Sequence, residues 1–394
     1  MKMNRDMNND INNDTFGLYL HIPFCQGKCR YCDFYSVNFE REIVEEYIHF
    51  LKEELRIYSS LLNNEKKGKP VMQTVYFGGG TPGLLTARQV AGILELLSRD
   101  FTLSPSAEIS LEVNPSSLTE DKIRDYRRIG INRLSIGVQS FNDRELSFLG
   151  RRHDSREALE KIELASQYFD NYSIDLIYAI PGQTLAEWEK TLKQAVQLSP
   201  YHISLYSLQI EKGTPLAAAL AAGEFKKTDD ALDADMYLLA RQVLTANGYE
   251  HYEISNFARK GYQSRHNRIY WEFTPYLGVG AGAHSFIAPE RFWNHADLFL
   301  YMEKLKAGKL PVEERIESSK EEMMAEMVFM GLRLLEGVSL TEFYDLFNVK
   351  LNEYYAKEIE KLKLQGLISV GDERIRLTEK GLLLGNLVFM EFLP

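Results

Sequence analysis

The chain has 394 residues, 45% of them hydrophobic, with 46 Lys and Arg against 56 Asp and Glu and a formal net charge of −10. That apolar share permits a sizeable core, while the acidic balance argues against nucleic acid as a main partner, because phosphate binding wants a basic face. No stretch approaches the roughly 18 consecutive apolar residues of a membrane span, so peripheral association is the most that a membrane could offer.

Residues 1–16 are rich in Asn and Asp and lack the apolar core of a signal peptide; they read as a mobile tail, and the protein as cytoplasmic. Residues 17–22 are a short apolar run that reads as a buried strand, ended by Pro23, which cannot donate to a ladder. Cys25, Cys29 and Cys32 follow on the loop past that strand's C-terminal end, where parallel α/β sheets and barrels mount their chemistry. These are the only three cysteines, an odd set for a disulfide framework, and they fall within eight residues, which speaks against unrelated buried thiols. Structural zinc takes four protein ligands, and no nearby histidine completes a set; His21 lies inside the strand, where a core histidine is the plainer reading. Three thiolates with one open position suit a working metal site, and an iron–sulfur cluster tolerates three if one iron is left for another ligand. Lys28 and Arg30 interleave with the cysteines and are placed to keep the thiolates deprotonated.

Apolar residues at helical spacing (Ile43, Tyr47, Phe50, Leu51, Leu55) predict an amphipathic helix over 40–62. A polar turn over 63–70 leads to a second strand, 71–77, which runs into Gly78, Gly79, Gly80, Thr81 and Pro82. Three glycines let the backbone approach a ligand closely, or simply turn the chain into the helix expected over 86–98. The third strand, 107–113, alternates Ile109, Leu111 and Val113 with Glu108, Ser110 and Glu112. A carboxylate inside a barrel is costly unless paired or ligand-bound; a solvent-exposed strand end is the alternative for Glu112. Then come a helix over 119–129, a strand over 132–138 with Gln139 at its end, and Arg151 after a short helical segment. A helix over 155–169, a strand over 172–177 carrying Asp175, a helix over 185–198 and a strand over 202–208 complete the series. Strand–helix units repeated in this way give parallel strands with right-handed crossovers. The fold class is α/β, an incomplete TIM-like (β/α)6 barrel over 17–210, whose missing units leave a side opening for a large planar substrate.

After Gln209 the periodicity changes, and residues 211–314 read as an extension of the barrel. A turn at 212–215 precedes an Ala-rich run, 216–224, a long helix over 228–247 and a strand over 248–255. His266, Asn267, Tyr270 and Trp271 then stand in the pattern HNxxYW. An imidazole with two aromatics suits a porphyrin, whose macrocycle stacks on the rings and whose iron takes a histidine. A Tyr/Trp-rich core strand with a hydrogen-bonded His is the alternative. The Gly-rich stretch LGVGAGAHSF turns the chain past the barrel mouth. Residues 315–394 form a small α+β domain, with helices over 320–335, 340–347, 351–364 and 378–392 and a hairpin of 367–370 with 374–377. Helices with a β-hairpin wing look like a winged helix, but there is no basic recognition face, so the domain is expected to cover the substrate opening.

The Cx3Cx2C spacing on the loop after the first strand resembles the radical S-adenosylmethionine (SAM) superfamily. The longer string YLHIPFCQGKCRYCDF is similar to the oxygen-independent coproporphyrinogen III oxidase family and its haem-chaperone branch. The resemblance implies a [4Fe–4S] cluster on Cys25, Cys29 and Cys32 whose open iron takes the amino and carboxylate groups of SAM. It implies that Gly79, Gly80 and Thr81 lie against the SAM amino group and that Glu112 accepts from the ribose hydroxyls. Gln139, Arg151 and Asp175 match further SAM contacts, and Tyr19 and Tyr31 match aromatic positions that line the same ligand. HNRIYW resembles the signature of the haem-chaperone branch, and LTEKGLLLGNLVFMEFL the family's C-terminal domain. The oxidase branch extends the motif to Cx3Cx2CxC, where this chain has Phe34, and carries a longer N-terminal arm than the sixteen residues ahead of the first strand. The implied function is a haem chaperone that binds haem and hands it to a haem-dependent acceptor protein, with an electron donor such as flavodoxin or ferredoxin for the cluster. The alternative is a radical SAM enzyme acting on a tetrapyrrole, the oxidative decarboxylation of coproporphyrinogen III. A purely structural metal protein would leave the Gly-rich turn and the polar strand ends without a role.

Overall fold

In the computed structural model, which describes residues 15–65 and 71–394, the chain opens on β1 (Thr15–Ile22). Leu18, Leu20 and Ile22 are wholly buried, and the strand begins two residues earlier than expected. Residues 1–14 of the expected tail and 66–70 of the expected polar turn lie outside the described residues. There follow α1 (Arg41–Glu65), β2 (Val71–Gly79), α2 (Ala87–Asp100), β3 (Thr102–Val113), α3 (Glu120–Arg128), β4 (Arg133–Gln139) and α4 (Asp143–Leu149). Then come α5 (Ser155–Ser166), β5 (Tyr172–Tyr178), α6 (Leu185–Gln197) and β6 (His202–Ser207). The helix starts have local causes. Thr86 and Thr184 form capping boxes with Gln89 and Glu187, and the Thr119 and Asp154 side chains accept from the first turns of α3 and α5. In α1, Val44, Tyr47, Leu51 and Leu55 form the buried stripe.

Strands β1 to β6 are parallel neighbours in chain order. Beyond them the chain forms α7 (Pro215–Ala221), α8 (Asp230–Ala246), β7 (Glu250–Glu253), β8 (Asn256–Ala258), α9 (Arg265–Trp271) and β9 (Tyr276–Val279). It continues through β10 (His284–Ile287), β11 (Glu290–Asn294), α10 (Leu298–Lys306) and β12 (Val312–Glu317). A seventh parallel strand was not foreseen: β9 pairs with β1, Gly17 opposite Tyr276. Its glycines read as a turn, yet Gly278 lets the chain double back closely. A Cβ there would lie 2.0 Å from His284 O. The sheet has twelve strands in the order β12-β11-β10-β9-β1-β2-β3-β4-β5-β6-β8-β7, with antiparallel strands at both edges. Among the described residues no ladder joins the two edges, so the barrel is open, as expected.

HNRIYW is a helix rather than a strand. Ser264 caps α9, and the buried Glu108 of β3 accepts from the N–H groups of Arg265 and His266, each at 3.1 Å. A carboxylate at a helix N-terminus meets unpaired donors and the positive end of the dipole. The C-terminal part comprises α11 (Lys320–Gly331), β13 (Val338–Ser339), α12 (Leu340–Phe347), α13 (Leu351–Tyr354), α14 (Ala356–Leu364), β14 (Ile368–Val370), β15 (Arg374–Leu377), α15 (Glu379–Leu383) and α16 (Gly385–Met390). Its three strands pair in the order β13-β15-β14. The last expected helix breaks at Leu384, between Gly381 and Gly385, two poor helix formers. β12 runs to Glu317, so residue 314 falls inside a strand. Among the described residues no helix is long and apolar enough to cross a membrane.

One buried acid ties the extension to the barrel. Glu54 of α1 accepts from Gly280 N at 2.9 Å, Asn294 Nδ2 at 2.7 Å and Tyr301 Oη at 2.6 Å. Burial lifts its pKa from 4.5 to about 7, although all three donors oppose the rise. Glu54→Ala leaves those donors unpartnered and is expected to cost about 2–4 kcal/mol by urea unfolding at pH 5. Because the folded pKa stands above the unfolded one, this carboxyl's contribution falls as the pH rises from 4.5 to about 7. The cost of the substitution is therefore smaller at pH 8 than at pH 5; an equal cost at both would refute the linkage.

Candidate metal and ligand site

The cysteine loop has no regular structure of its own and is held from outside. Phe24 and Cys25 pair in parallel with Val37 and Asn38, Pro23 O accepts from Val37 N at 2.7 Å, and Cys25 O accepts from Phe39 N at 2.9 Å. Phe24 is wholly buried, edge-on to Tyr47 at 5.3 Å. On the far side Arg30 N donates to Leu149 O at 3.1 Å, and Arg30 O accepts from Leu216 N at 3.0 Å. All three cysteines are free and half-buried. The Arg30 guanidinium lies over the Phe148 ring and donates to Phe148 O, so the expectation that it serves the thiols is not met. Lys28 does act on the thiols as expected, its charge opposing the burial that raises the Cys32 pKa, and a further cation, Arg151, donates from Nη1 to Cys29 Sγ at 3.3 Å.

Arg151 also closes a ring of polar contacts. Cys25 Sγ lies 3.7 Å from Thr81 Oγ1, which accepts from Asn114 Nδ2 at 2.9 Å. Asn114 Oδ1 accepts from Arg151 Nη2 at 2.5 Å, and Arg151 returns to Cys29. The ring thus runs from thiol to thiol through the turn after β2, the end of β3 and the segment after α4. Gly80 is necessary to it, since a Cβ there would lie 2.7 Å from Phe24 O. Tyr31 stands beside Arg151; burial raises its phenol pKa, and the Arg151 charge opposes the rise. Sequence reasoning found Thr81, Arg151 and Tyr31 but passed over Asn114. Its place one residue past a barrel strand was the available signal.

The remaining expected residues sit on the same sheet, Glu112 and Gln139 near the carboxyl ends of their strands and Asp175 and Tyr19 mid-strand. Glu112 accepts from Tyr76 Oη at 2.7 Å and Gly79 N at 3.2 Å. Burial lifts its pKa to about 7, Tyr76 opposes, and the nearby Asp175 adds to the rise. Asp175, midway along β5, accepts from Ser135 Oγ at 2.9 Å and Ser173 Oγ at 3.3 Å, and burial raises its pKa as well. Gln139 ends β4 in a left-handed conformation, φ +69°, where the register between β4 and β5 shifts. Tyr19 stacks on Tyr76 with centroids 6.2 Å apart.

Among the described residues no three His, Cys, Asp or Glu side chains converge on one ion. Three free thiols on one loop, with one coordination position left open, suit a cluster whose fourth iron takes another ligand. Arg151 Nε is buried without a hydrogen-bond partner, a donor left over beside the thiols. The paired acids and the serines and backbone around them suit a ligand bearing hydroxyl and amino groups.

The HNxxYW residues separate in space. His266 is wholly buried, Nδ1 2.7 Å from Thr74 Oγ1 and Nε2 2.9 Å from Tyr270 Oη, with its ring stacked on Tyr76 at 4.9 Å. Burial pushes its pKa down to about 3, so it is neutral with both nitrogens engaged. This is the hydrogen-bonded core histidine that the sequence left as the alternative. Asn267 N donates to the Ser264 cap, and the Trp271 ring lies under the Arg333 guanidinium, 4.3 Å away. Only Tyr270 of the four lines a cavity of about 620 Å³, together with Tyr19, His21, Tyr276, His284 and Trp293.

Comparison with known proteins agrees with this geometry. Residues 19–195 match the radical SAM superfamily, a span that takes in the cysteine loop, the polar ring and the Glu112–Asp175 pair. Residues 318–384 match the HemN C-terminal domain. Heme chaperone HemW of Bacillus subtilis is 35% identical over 95% of this chain and 98% of its own. Heme chaperone HemW of Mycobacterium tuberculosis is 34% identical over 95% and 93%. The mitochondrial radical S-adenosyl methionine domain-containing protein 1 of Danio rerio is 32% identical over 93% and 84%. Coproporphyrinogen III oxidase (HemN) from Escherichia coli, a radical SAM enzyme, shares the fold with a TM-score of 0.81 at 24% identity, covering 96% of this chain and 90% of that one. With the thiol loop, the open barrel and both family regions matched almost end to end, the chain belongs to the HemW family of radical SAM proteins.

Proposed function

We propose that the protein is a haem chaperone, which binds haem and passes it to a haem-dependent acceptor protein. The observation that carries this reading is the 35% identity over 98% of a relative named heme chaperone HemW. Phe34 supports it, standing 64% exposed where the oxidase branch would place a fourth cysteine. Cys25, Cys29 and Cys32 would hold a [4Fe–4S] cluster, with SAM at its open iron; bound there, the cluster supplies the single electron that a sulfonium accepts. The chain's own part is orientation. Arg151 holds the Cys29 thiol, the Gly79–Thr81 turn backs the ligand's amino group, and Glu112, Asp175 and Gln139 present acceptors and donors to its hydroxyls. Tyr19 and Tyr31 pack beside it. A donor such as flavodoxin or ferredoxin and a cytoplasmic setting belong to the same proposal.

Anaerobic loading is expected to give about four irons and four sulfides per chain, with an EPR signal altered by SAM and absent in Cys29→Ser. The loaded protein takes up haem. Given coproporphyrinogen III, SAM and a reductant, it forms no protoporphyrinogen IX; product at catalytic turnover would overturn the chaperone reading in favour of a decarboxylase.

The polar ring makes a separate prediction. Asn114→Ala cuts the link from Thr81 to Arg151 and costs about 1 kcal/mol of stability, leaving the circular dichroism unchanged. Cluster loss to a chelator should then be several-fold faster than in the unaltered protein. Equal rates would show that the ring does not hold the loop.

A further inference from the structure

We propose that haem docks in the cavity beside β9, β10 and β11, with the His284 imidazole as its axial ligand. This rests on the haem-binding reading above and names the site for it. The cavity, about 620 Å³, falls within the roughly 300–1,000 Å³ of small-molecule and cofactor pockets. Of the residues expected to face SAM it includes only Tyr19, so the two sites are neighbours rather than one. Its walls include Tyr270, Tyr276 and Trp293, flat apolar faces of the kind on which a macrocycle stacks. Asp33 and Phe34, just past Cys32, form another wall, and the exposed Phe34 ring is apolar surface that a ligand would cover.

The histidines decide the ligand. His21 also lines the cavity, but its Nδ1 lies 3.1 Å from Tyr19 Oη and its Nε2 3.3 Å from Tyr35 O. His266 is engaged at both nitrogens and lies outside the cavity lining. His284 is exposed, and no hydrogen bond from the described residues reaches its ring nitrogens. It is nevertheless oriented, stacked on the Trp293 indole at 5.4 Å and 25°. Partial desolvation, and then the Arg291 charge, lower its pKa, which favours the neutral ring whose lone pair an iron takes. Arg291 itself is bound by Glu326 and by Tyr276 Oη at 3.2 Å, and does not compete for the site. Asp33 and Glu313 on the lining repel carboxylates, so the propionate edge faces away from them.

Haem titration of the cluster-loaded protein, read at the Soret band and by EPR, tests the site. His284→Ala is expected to lose the histidine-ligated signature and to bind haem roughly tenfold more weakly, with free imidazole restoring the spectrum. Its cluster absorption and its response to SAM stay unchanged. Trp293→Leu weakens binding but keeps the signature. Unaltered affinity and spectrum in His284→Ala, or loss of the signature in a folded His266→Ala instead, would overturn this site while leaving haem binding itself intact. No haem uptake by the unaltered protein would sink both readings.

Discussion

The ring from Cys25 through Thr81, Asn114 and Arg151 to Cys29 is the constraint on which the site depends. A loop of eleven residues between two short paired segments has little enthalpy of its own to offset the entropy of ordering it. The ring supplies order by using groups that the sheet has already placed. Thr81 follows β2 and Asn114 follows β3, adjacent parallel strands whose register sets the spacing between the two side chains. Arg151 is the one member with a charge, and burial by itself would disfavour that charge. The Tyr31 phenol and the Cys29 thiol compensate, and the guanidinium ends with a pKa above its ordinary value. The loop and the cation therefore stabilise each other, and neither would be well placed alone.

The acids pointing into the barrel divide its interior by height. Glu108, low on β3, is occupied by the first N–H groups of α9 and fixes that helix inside the sheet. Four residues on, Glu112 faces the mouth and meets Tyr76 and Gly79. The two look alike in sequence, same strand and same face, and only the structure separates a helix anchor from an acid held by a phenol and the glycine turn. Asp175 lies close enough to Glu112 to add to the rise in its proton affinity, and burial raises that of Asp175 itself, so both acids respond to a group that donates hydrogen bonds to them.

The six strand–helix units were readable because helices α2 to α6 each begin at a capping Thr, Asn or Asp and the strands are largely apolar runs between polar turns. The three cysteines were readable because nothing else explains their spacing. What escaped follows from competing local rules. Residues 277–286 look like a turn by composition, but glycine also permits the close pairing of β9 with β10, and β9 becomes the seventh parallel strand. HNRIYW looks like a strand by its aromatics, but Ser264 and Glu108 together provide a helix start, and Glu108 lies more than 150 residues away. Asn114 carried no pattern at all, because its role exists only once two strands and a loop are assembled.

The mouth of the open barrel then holds two unlike chemistries on either side of Tyr19. Towards β2 to β5 it offers carboxylates, serines and backbone N–H groups, which favour a polar ligand rich in hydroxyl and amino groups. Towards β9 to β11 it offers flat rings and an unoccupied imidazole. Tyr19 belongs to both, its ring stacked on Tyr76 and its hydroxyl engaged with His21. A porphyrin on the polar side would bring propionates against Glu112 and Asp175, whereas on the aromatic side it finds rings to stack on and can turn its propionates away from Asp33 and Glu313. Tyr19, and the loop from Cys32 to Tyr35 that carries Asp33 and Phe34 into the cavity lining, are the parts of the chain that border both regions.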